Sequence, residues 1–294
     1  MNKSIYIPVV AVAVCILLTQ SIAFAVSDEN NYTLNYIALF TIGLQWIFFI
    51  HAGGFFGNER TEKFYDLMGS VTFISTTIIN SIFSKDYSKR IELLNLLVIF
   101  WTIRLGAFLF TRIKNNKGID SRFTDIKKNN YRFLMTWTLQ GVWVFMSILP
   151  LLIITQKERN VQFKVLDYIG SILFICGFTC ETIADYQKLK FRSESKNKDK
   201  FMKTGLWKYS RHPNYFGEIL LWFAFSLIGF SGSHSLGVFL TPVFVALLLI
   251  FVSGIPLLEQ SADVKFGNND EYKTYKSSTP VLIPFFGRAG DAMF

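Results

Sequence analysis

The chain has 294 residues, 51% of them apolar and 31 of them Phe, with a formal charge of +9 and a mean hydropathy of +0.34. Its apolar residues fall in blocks near the ~20 residues that a helix needs to cross roughly 30 Å of hydrocarbon, which excludes an ordinary soluble domain. The basic charge lacks the soluble, aromatic-interleaved face that nucleic acid requires, so no nucleic-acid partner is expected.

In chain order the blocks predict spans at Ile5–Val26, Leu34–Phe56, Leu67–Phe83, Ile91–Thr111, Phe133–Ile154, Val165–Tyr186, Tyr215–Phe230 and Leu236–Leu258. The expected fold is all-α, a polytopic membrane helix bundle of about eight transmembrane helices. The first block also carries features of a secretory signal, with Lys3 ahead of it and Ala23-Phe24-Ala25 at its end. Its apolar run exceeds the ~7–15 residues of a signal core, which favours an uncleaved helix; cleavage would leave seven spans. Gly53-Gly54 and Gly57 close the second block and predict a tight turn. The Asn- and Lys-rich patch Ser193–Lys200 reads as a solvated hinge.

Lys and Arg alternate along the connections. Segments 1, 3, 5, 7 and 9 between the spans hold 23 and the others six, an asymmetry that predicts cytosolic termini. The expected location is a multi-pass protein of the endoplasmic reticulum in a eukaryote, or of the inner membrane in a bacterium. Residues 1–60 are expected to form N-terminal transmembrane helices, 61–286 a membrane domain and 287–294 a tail. There is no internal repeat of the kind common in secondary transporters. Cys15, Cys176 and Cys180 all lie within spans; they predict neither disulfides nor a metal site and read as helix-packing residues.

An ionisable group inside a span costs ~2.5–3.5 kcal/mol on insertion scales, so each such group is a functional candidate. These are His51, Arg104, Glu181, Asp185, Glu218 and Glu259, with Gln45 and Gln140 as neutral companions; His51 and His234 offer no further chemistry. Glu181 and Asp185 are one helical turn apart and share a face. Arg211 and His212 precede Pro213, a residue favoured in a first helical turn, so a helix start with exposed backbone donors is expected beside a guanidinium. That combination suits an anionic group. Glu218 and Trp222 continue one face of the same helix. The pattern describes a pocket with a basic rim and an acidic, aromatic interior, which fits a nicotinamide dinucleotide phosphate. The lysines between Lys188 and Lys208 also fit a plain positive-inside loop. No Gly-x-Gly-x-x-Gly fingerprint or Walker-type Lys is present, so a Rossmann domain is not expected.

The blocks Glu181-Thr182-Ile183-Ala184-Asp185-Tyr186-Gln187-Lys188, Gly205-Leu206-Trp207 and Ser210-Arg211-His212-Pro213-Asn214-Tyr215-Phe216-Gly217-Glu218 resemble the steroid 5α-reductase-like membrane reductases. Further matches are Trp101-Thr102-Ile103-Arg104-Leu105-Gly106, Arg112, Gly118, Asp120, Arg122-Phe123, Gly254-Ile255-Pro256 with Glu259, and Tyr272, Tyr275, Thr279 and Ile283-Pro284-Phe285. The resemblance implies that NADPH binds between helices of the C-terminal half and that a lipid double bond enters from the bilayer. Carried over by motif, it implies cofactor contacts from Glu181, Asp185, Arg192, Tyr209, Arg211, His212, Asn214, Glu218, Trp222, Glu259 and Tyr272. Steroid 5α-reductases set a carboxylate and a Tyr near the substrate ketone, whereas Gln45-Trp46 and Trp101 stand at the comparable positions here. A 3-oxosteroid is therefore not expected, and Asp66, Trp101 and Arg104 are the expected catalytic substitutes.

The expected activity is NADPH-dependent reduction of a carbon–carbon double bond in a sterol or other isoprenoid lipid. An alternative is an S-adenosylmethionine-dependent methyltransferase of the isoprenylcysteine carboxyl or phospholipid type. Those enzymes share Arg-His-Pro-x-Tyr but carry two consecutive glutamates where this chain has Glu259-Gln260. A third reading is a transporter or structural membrane protein.

Overall fold

The computed structural model describes residues 3–28, 31–57, 59–84, 88–157 and 162–285. Among these every regular element is helical: α1 (Lys3–Val26), α2 (Thr33–His51), α3 (Tyr65–Phe83), α4 (Lys89–Asn115), α5 (Asn130–Ser147), α6 (Leu149–Lys157), α7 (Val165–Ser193), α8 (Pro213–Ser233), α9 (Leu240–Leu247), α10 (Ile255–Phe266) and α11 (Asp270–Ser278). Among the described residues seven helical segments are long and apolar enough to cross a membrane, and α5 with α6, bent by 46°, makes an eighth if the pair is one span. The chain is a polytopic membrane helix bundle. The tail expected at 287–294 lies outside the described residues.

Several span limits differ from those read off hydropathy. α2 stops at His51 and not at Phe56, because the chain reverses at Gly53, whose φ of +85° an L side chain resists. The fifth span breaks at Ile148, just ahead of Pro150, whose ring and missing N–H disrupt the preceding turn. α7 runs on to Ser193, past the apolar limit at Tyr186, and carries Lys188, Lys190 and Arg192 on a helical extension. The last span is a composite: a 3₁₀ turn (Leu236–Phe239), α9, a π turn (Leu248–Val252) and, after Gly254, α10 with Pro256 in its first turn.

Two compact units divide the chain, one of residues Met1–Phe163 with Gly229–Leu240, the other of Lys164–Ile228 with Thr241–Phe294. In the first, Phe49, Phe133 and Trp137 form an aromatic core with Phe123. Its helices touch closely where α5 has no side chain: a Cβ on Gly141 would lie 2.9 Å from Ile42 Cα. α1 is an integral part of this unit. Asn129 Nδ2 donates to Ser4 O at 3.1 Å, and Asn35 Nδ2 donates to Gln20 Oε1 at 2.9 Å.

The second unit is organised by α7 and α8. A Cβ on Gly177 would sit 2.7 Å from Gly217 O, and one on Gly217 would sit 2.6 Å from Glu181 N, so the two backbones touch. Such contact between small residues is how membrane helices gain packing energy where lipid removes the hydrophobic drive. Cys180 donates to Pro213 O at 3.4 Å, as a packing residue should, whereas Cys176 is exposed.

Gly217→Ala is expected to destabilise the detergent-solubilised protein by about 1–3 kcal/mol through overpacking. Gly43→Ala, where an added Cβ meets nothing within 4 Å, should leave the melting temperature unchanged or slightly raised.

Candidate functional site

Pro213 opens α8, as its restricted φ favours, so Arg211 and His212 sit immediately before the helix. Ser210 fixes this approach. Its buried hydroxyl donates to Leu282 O at 2.7 Å and accepts from His212 N at 3.1 Å, while Arg211 N donates to Pro280 O at 2.9 Å. Residues 280–282 thus strap the helix entrance from the C-terminal side.

Glu259, on α10, lies opposite both basic residues. Its Oε1 is 2.8 Å from His212 Nε2 and its Oε2 is 3.0 Å from Arg211 Nη1. A carboxylate at that distance wants a proton on Nε2, which leaves Nδ1 of the neutral ring as an acceptor. His212 is only 4% exposed, and burial holds its imidazole below its usual value despite the carboxylate. Nδ1 has no hydrogen-bond partner in the protein, and neither do Arg211 Nε and Nη1; Nη1 makes its ion contact without the alignment of a hydrogen bond. The Arg211 side chain is 9% exposed. A buried acceptor and two buried donors therefore stand together, ready for a ligand that supplies the complementary groups.

Arg211 and His212 both line a cavity of 590 Å³, within the usual range of a small-molecule site. Its walls come from the end of α7 (Lys188, Phe191, Arg192), from 193–202, from α10 and from α11. Lys188, Arg192, Lys198, Lys200 and Lys265 make its rim basic. Trp207, Phe201, Tyr272 and Tyr275 give it aromatic walls. Trp207 Nε1 donates to Ala184 O at 3.1 Å, and Tyr275 donates from its hydroxyl to Trp207 O at 2.6 Å. Burial pushes both Tyr272 and Tyr275 upward, with Asp263 adding to the effect on Tyr272, so both hydroxyls stay protonated. Tyr272 donates to Asp263 Oδ1 at 3.0 Å, and Lys276 closes the group at 2.6 Å from the same oxygen.

Of the residues expected at the cofactor, Arg192, Arg211, His212, Glu259 and Tyr272 line this cavity. Glu181 and Asp185 are both buried on α7, and Asn214 Nδ2 donates to Asp185 Oδ1 at 3.2 Å beside the glycine crossing. Together with half-buried Glu218 and buried Trp222 on α8, they are outside the cavity lining. Tyr209 faces Phe285, with ring centroids 4.9 Å apart, and is outside the lining too. The stretch read as a solvated hinge is mostly exposed and also lines the cavity, where Asn197 Nδ2 donates to Phe191 O at 3.1 Å and folds the chain back on α7. Sequence reasoning missed Asp263, Lys276, Trp207 and Ser210 as parts of the site. The four-residue spacing of Glu259 and Asp263, which puts them on one face, was the available signal for Asp263.

The chain belongs to the DUF1295 family. That family, described as "Protein of unknown function (DUF1295)", matches residues 56–279. The Schizosaccharomyces pombe "Uncharacterized protein C594.04c" is 24% identical over 225 residues, which cover 67% of this chain and 64% of that protein. The chain thus spans under two thirds of the relative's length. No solved structure matches.

The residues expected at the substrate end all belong to the first unit. Trp101 is fully buried, edge-on to Phe73 at 5.3 Å. Arg104 is half-buried one turn further along α4. Asp66 is held by Arg112 Nη2 at 3.0 Å and by Arg122 Nη2 at 3.3 Å, in a cluster that also contains Asp120. Burial pushes the Asp120 carboxyl upward, but hydrogen bonds from Arg122 outweigh it and hold the group below its ordinary value. This cluster ties the loop after α4 to the start of α3.

Because His212 is held neutral, the unfolded chain takes up its proton first as pH falls. Stability should therefore be full above the ordinary value of 6.5 and decline as pH drops through the lowered folded value. For one proton the slope in that window cannot exceed about 1.4 kcal/mol per pH unit. Melting temperatures of wild type and His212→Gln between neutral and mildly acidic pH should show the decline in wild type and a shallower one in the variant.

Proposed function

We propose that the protein is a membrane-embedded, NADPH-dependent reductase of a carbon–carbon double bond in a sterol or other isoprenoid lipid. The observation that carries this reading is the pairing, at one basic cavity, of a buried unpartnered donor, Arg211 Nε, with a buried unpartnered acceptor on His212. A dinucleotide phosphate supplies both complements, since its phosphates accept and its hydroxyls and carboxamide donate. The resemblance of residues 181–188 and 205–218 to steroid 5α-reductase-like enzymes supports the same assignment.

In this reading Arg211 holds a phosphate through Nε while Nη1 stays with Glu259, and the cationic rim from Lys188 to Lys200 draws the polyanion in. His212 Nδ1 accepts from a hydroxyl or amide, and Glu259 keeps ring and guanidinium in register. Trp207, Phe201 and Tyr272 offer flat faces for a ring and exclude water. Bound NADPH supplies the hydride. Glu181, Asp185, Asn214, Glu218 and Trp222 are assigned to the nucleotide by resemblance, and Asp66, Trp101 and Arg104 to the lipid on the same ground. Of these, Asp66 is least suited to chemistry, because two guanidinium groups already engage its carboxylate. The lipid enters from the bilayer, and the basic cavity faces the cytosol.

Methyl transfer from S-adenosylmethionine is the second reading. It is favoured by one contact: Glu259 already neutralises Arg211, which lowers the demand for a phosphate there. Thermal titration separates the two. NADPH at ~100 times its dissociation constant should stabilise wild type by about 2.7 kcal/mol, and S-adenosylmethionine should not. Arg211→Ala and Asp185→Ala should each lose the NADPH response. Stabilisation by S-adenosylmethionine alone would make the protein a methyltransferase, and a response to neither would favour a transporter or structural role.

A further inference from the structure

The first unit holds a second concentration of polar groups, unconnected with the cavity chemistry. α3 presents Tyr65, Gly69, Thr72, Thr76 and Asn80 at spacings of three and four residues, one continuous face of a helix. From Tyr65 to Asn80 that face runs about 22 Å, most of the thickness of a bilayer core. It is inward-facing: Thr72, Thr76, Thr77 and Asn80 are all 3% exposed or less. Neighbouring helices answer with more polar side chains. Gln45 Nε2 donates to Thr72 Oγ1 at 2.8 Å, Gln140 Nε2 donates to Tyr65 O at 3.2 Å, and the Asn80 amide lies 3.1 Å from Thr155 Oγ1, whose one proton is shared with Leu152 O at 2.8 Å.

These contacts use only part of what the groups offer. Gln45 Oε1, Gln140 Oε1, Asn80 Nδ2 and Ser147 Oγ are buried without a hydrogen-bond partner in the protein, as is Trp137 Nε1 on α5. Reversing the Gln45 amide does not help. Thr72 Oγ1 spends its proton on Met68 O, so one end of the amide stays unserved either way. The threonines do not help either, because Thr76 and Thr77 donate back to Thr72 O and Phe73 O. The unserved groups include both donors and acceptors and are spread along the seam. Their complement must be small, numerous and able to both donate and accept.

We propose that the inner face of α3 carries a file of bound water molecules between Gln140 and Asn80. Water satisfies mixed donors and acceptors at separate points, and hydrocarbon offers no substitute. The file makes the interior of the first unit wet within a lipid-facing shell of Ile78, Ile82, Leu96 and Phe100.

X-ray radiolytic labelling tests this, because hydroxyl radicals formed from a bound water mark the side chain beside it. In the full-length protein in lipid nanodiscs, Phe73 and Trp137, both 1% exposed, should be oxidised in spite of their burial. Gln45→Met should reduce labelling at Phe73 severalfold and lower the melting temperature by a few degrees, since it removes an anchor for water. A dry seam predicts the opposite sign, because an apolar isostere relieves an unserved buried amide. Absence of label at Phe73 and Trp137 in wild type overturns the proposal. Should Gln45→Met fail to fold, Asn80→Leu gives the same comparison, and the wild-type labelling still decides.

Discussion

The contact on which the second unit depends is the touch of two backbones at Gly177 and Gly217. Side chains of ordinary size would push α7 and α8 to the 8–10 Å spacing usual for packed helices. Without them, Glu181 lies against the first turns of α8, and Asp185 comes within hydrogen-bonding reach of Asn214. The buried carboxylates therefore follow from the absence of two side chains. Residues that carry no chemistry set the geometry of those that do.

Charge balance is the second organising term. The entrance to α8 brings a guanidinium and an imidazole together where they are almost fully buried, and such charge is costly in a low-dielectric setting unless it is compensated. Glu259 compensates by meeting Arg211 with one oxygen and His212 with the other. The imidazole avoids a second positive charge by staying neutral. Lys276, 3.7 Å from Glu259, and Asp263 extend the same network into α11. What results is one negative group shared among several donors, with Arg211 Nε left without a partner at a residue that lines the cavity.

Most of the architecture was legible in the sequence because hydrocarbon leaves the chain few options. Blocks of apolar residues had to be helices, and Pro213 and Gly53 marked a start and a stop for local steric reasons. The pairing of Glu181 with Asp185 on one face followed from helical spacing. Hydropathy was blind to features decided by backbone hydrogen bonding or by distant contacts. The bend before Pro150 leaves an apolar run apolar, and the π turn before Gly254 is equally silent. The polar extension of α7 reads as loop by composition, yet its helix persists and carries Arg192 to the cavity. Ser210 looks ordinary in the sequence; its role depends on carbonyls more than 70 residues away. The division of the expected cofactor residues between cavity lining and helix crossing was equally invisible, since a motif records adjacency in sequence and not in space.

That last separation has a consequence for biogenesis. Ser210 and Arg211 are synthesised well before Pro280 and Leu282, and Leu282 follows Ser210 by 72 residues. At about 5–20 residues per second the ribosome needs roughly 4–14 s to cover that distance, before any delay in the exit tunnel. α8 can enter the bilayer while the polar turn ahead of it lacks first its counter-charge, until Glu259 is made, and then its strap, until Leu282 is made. The turn ahead of α8 is thus completed only after residue 282 has emerged, and until then the nascent chain presents it unstrapped.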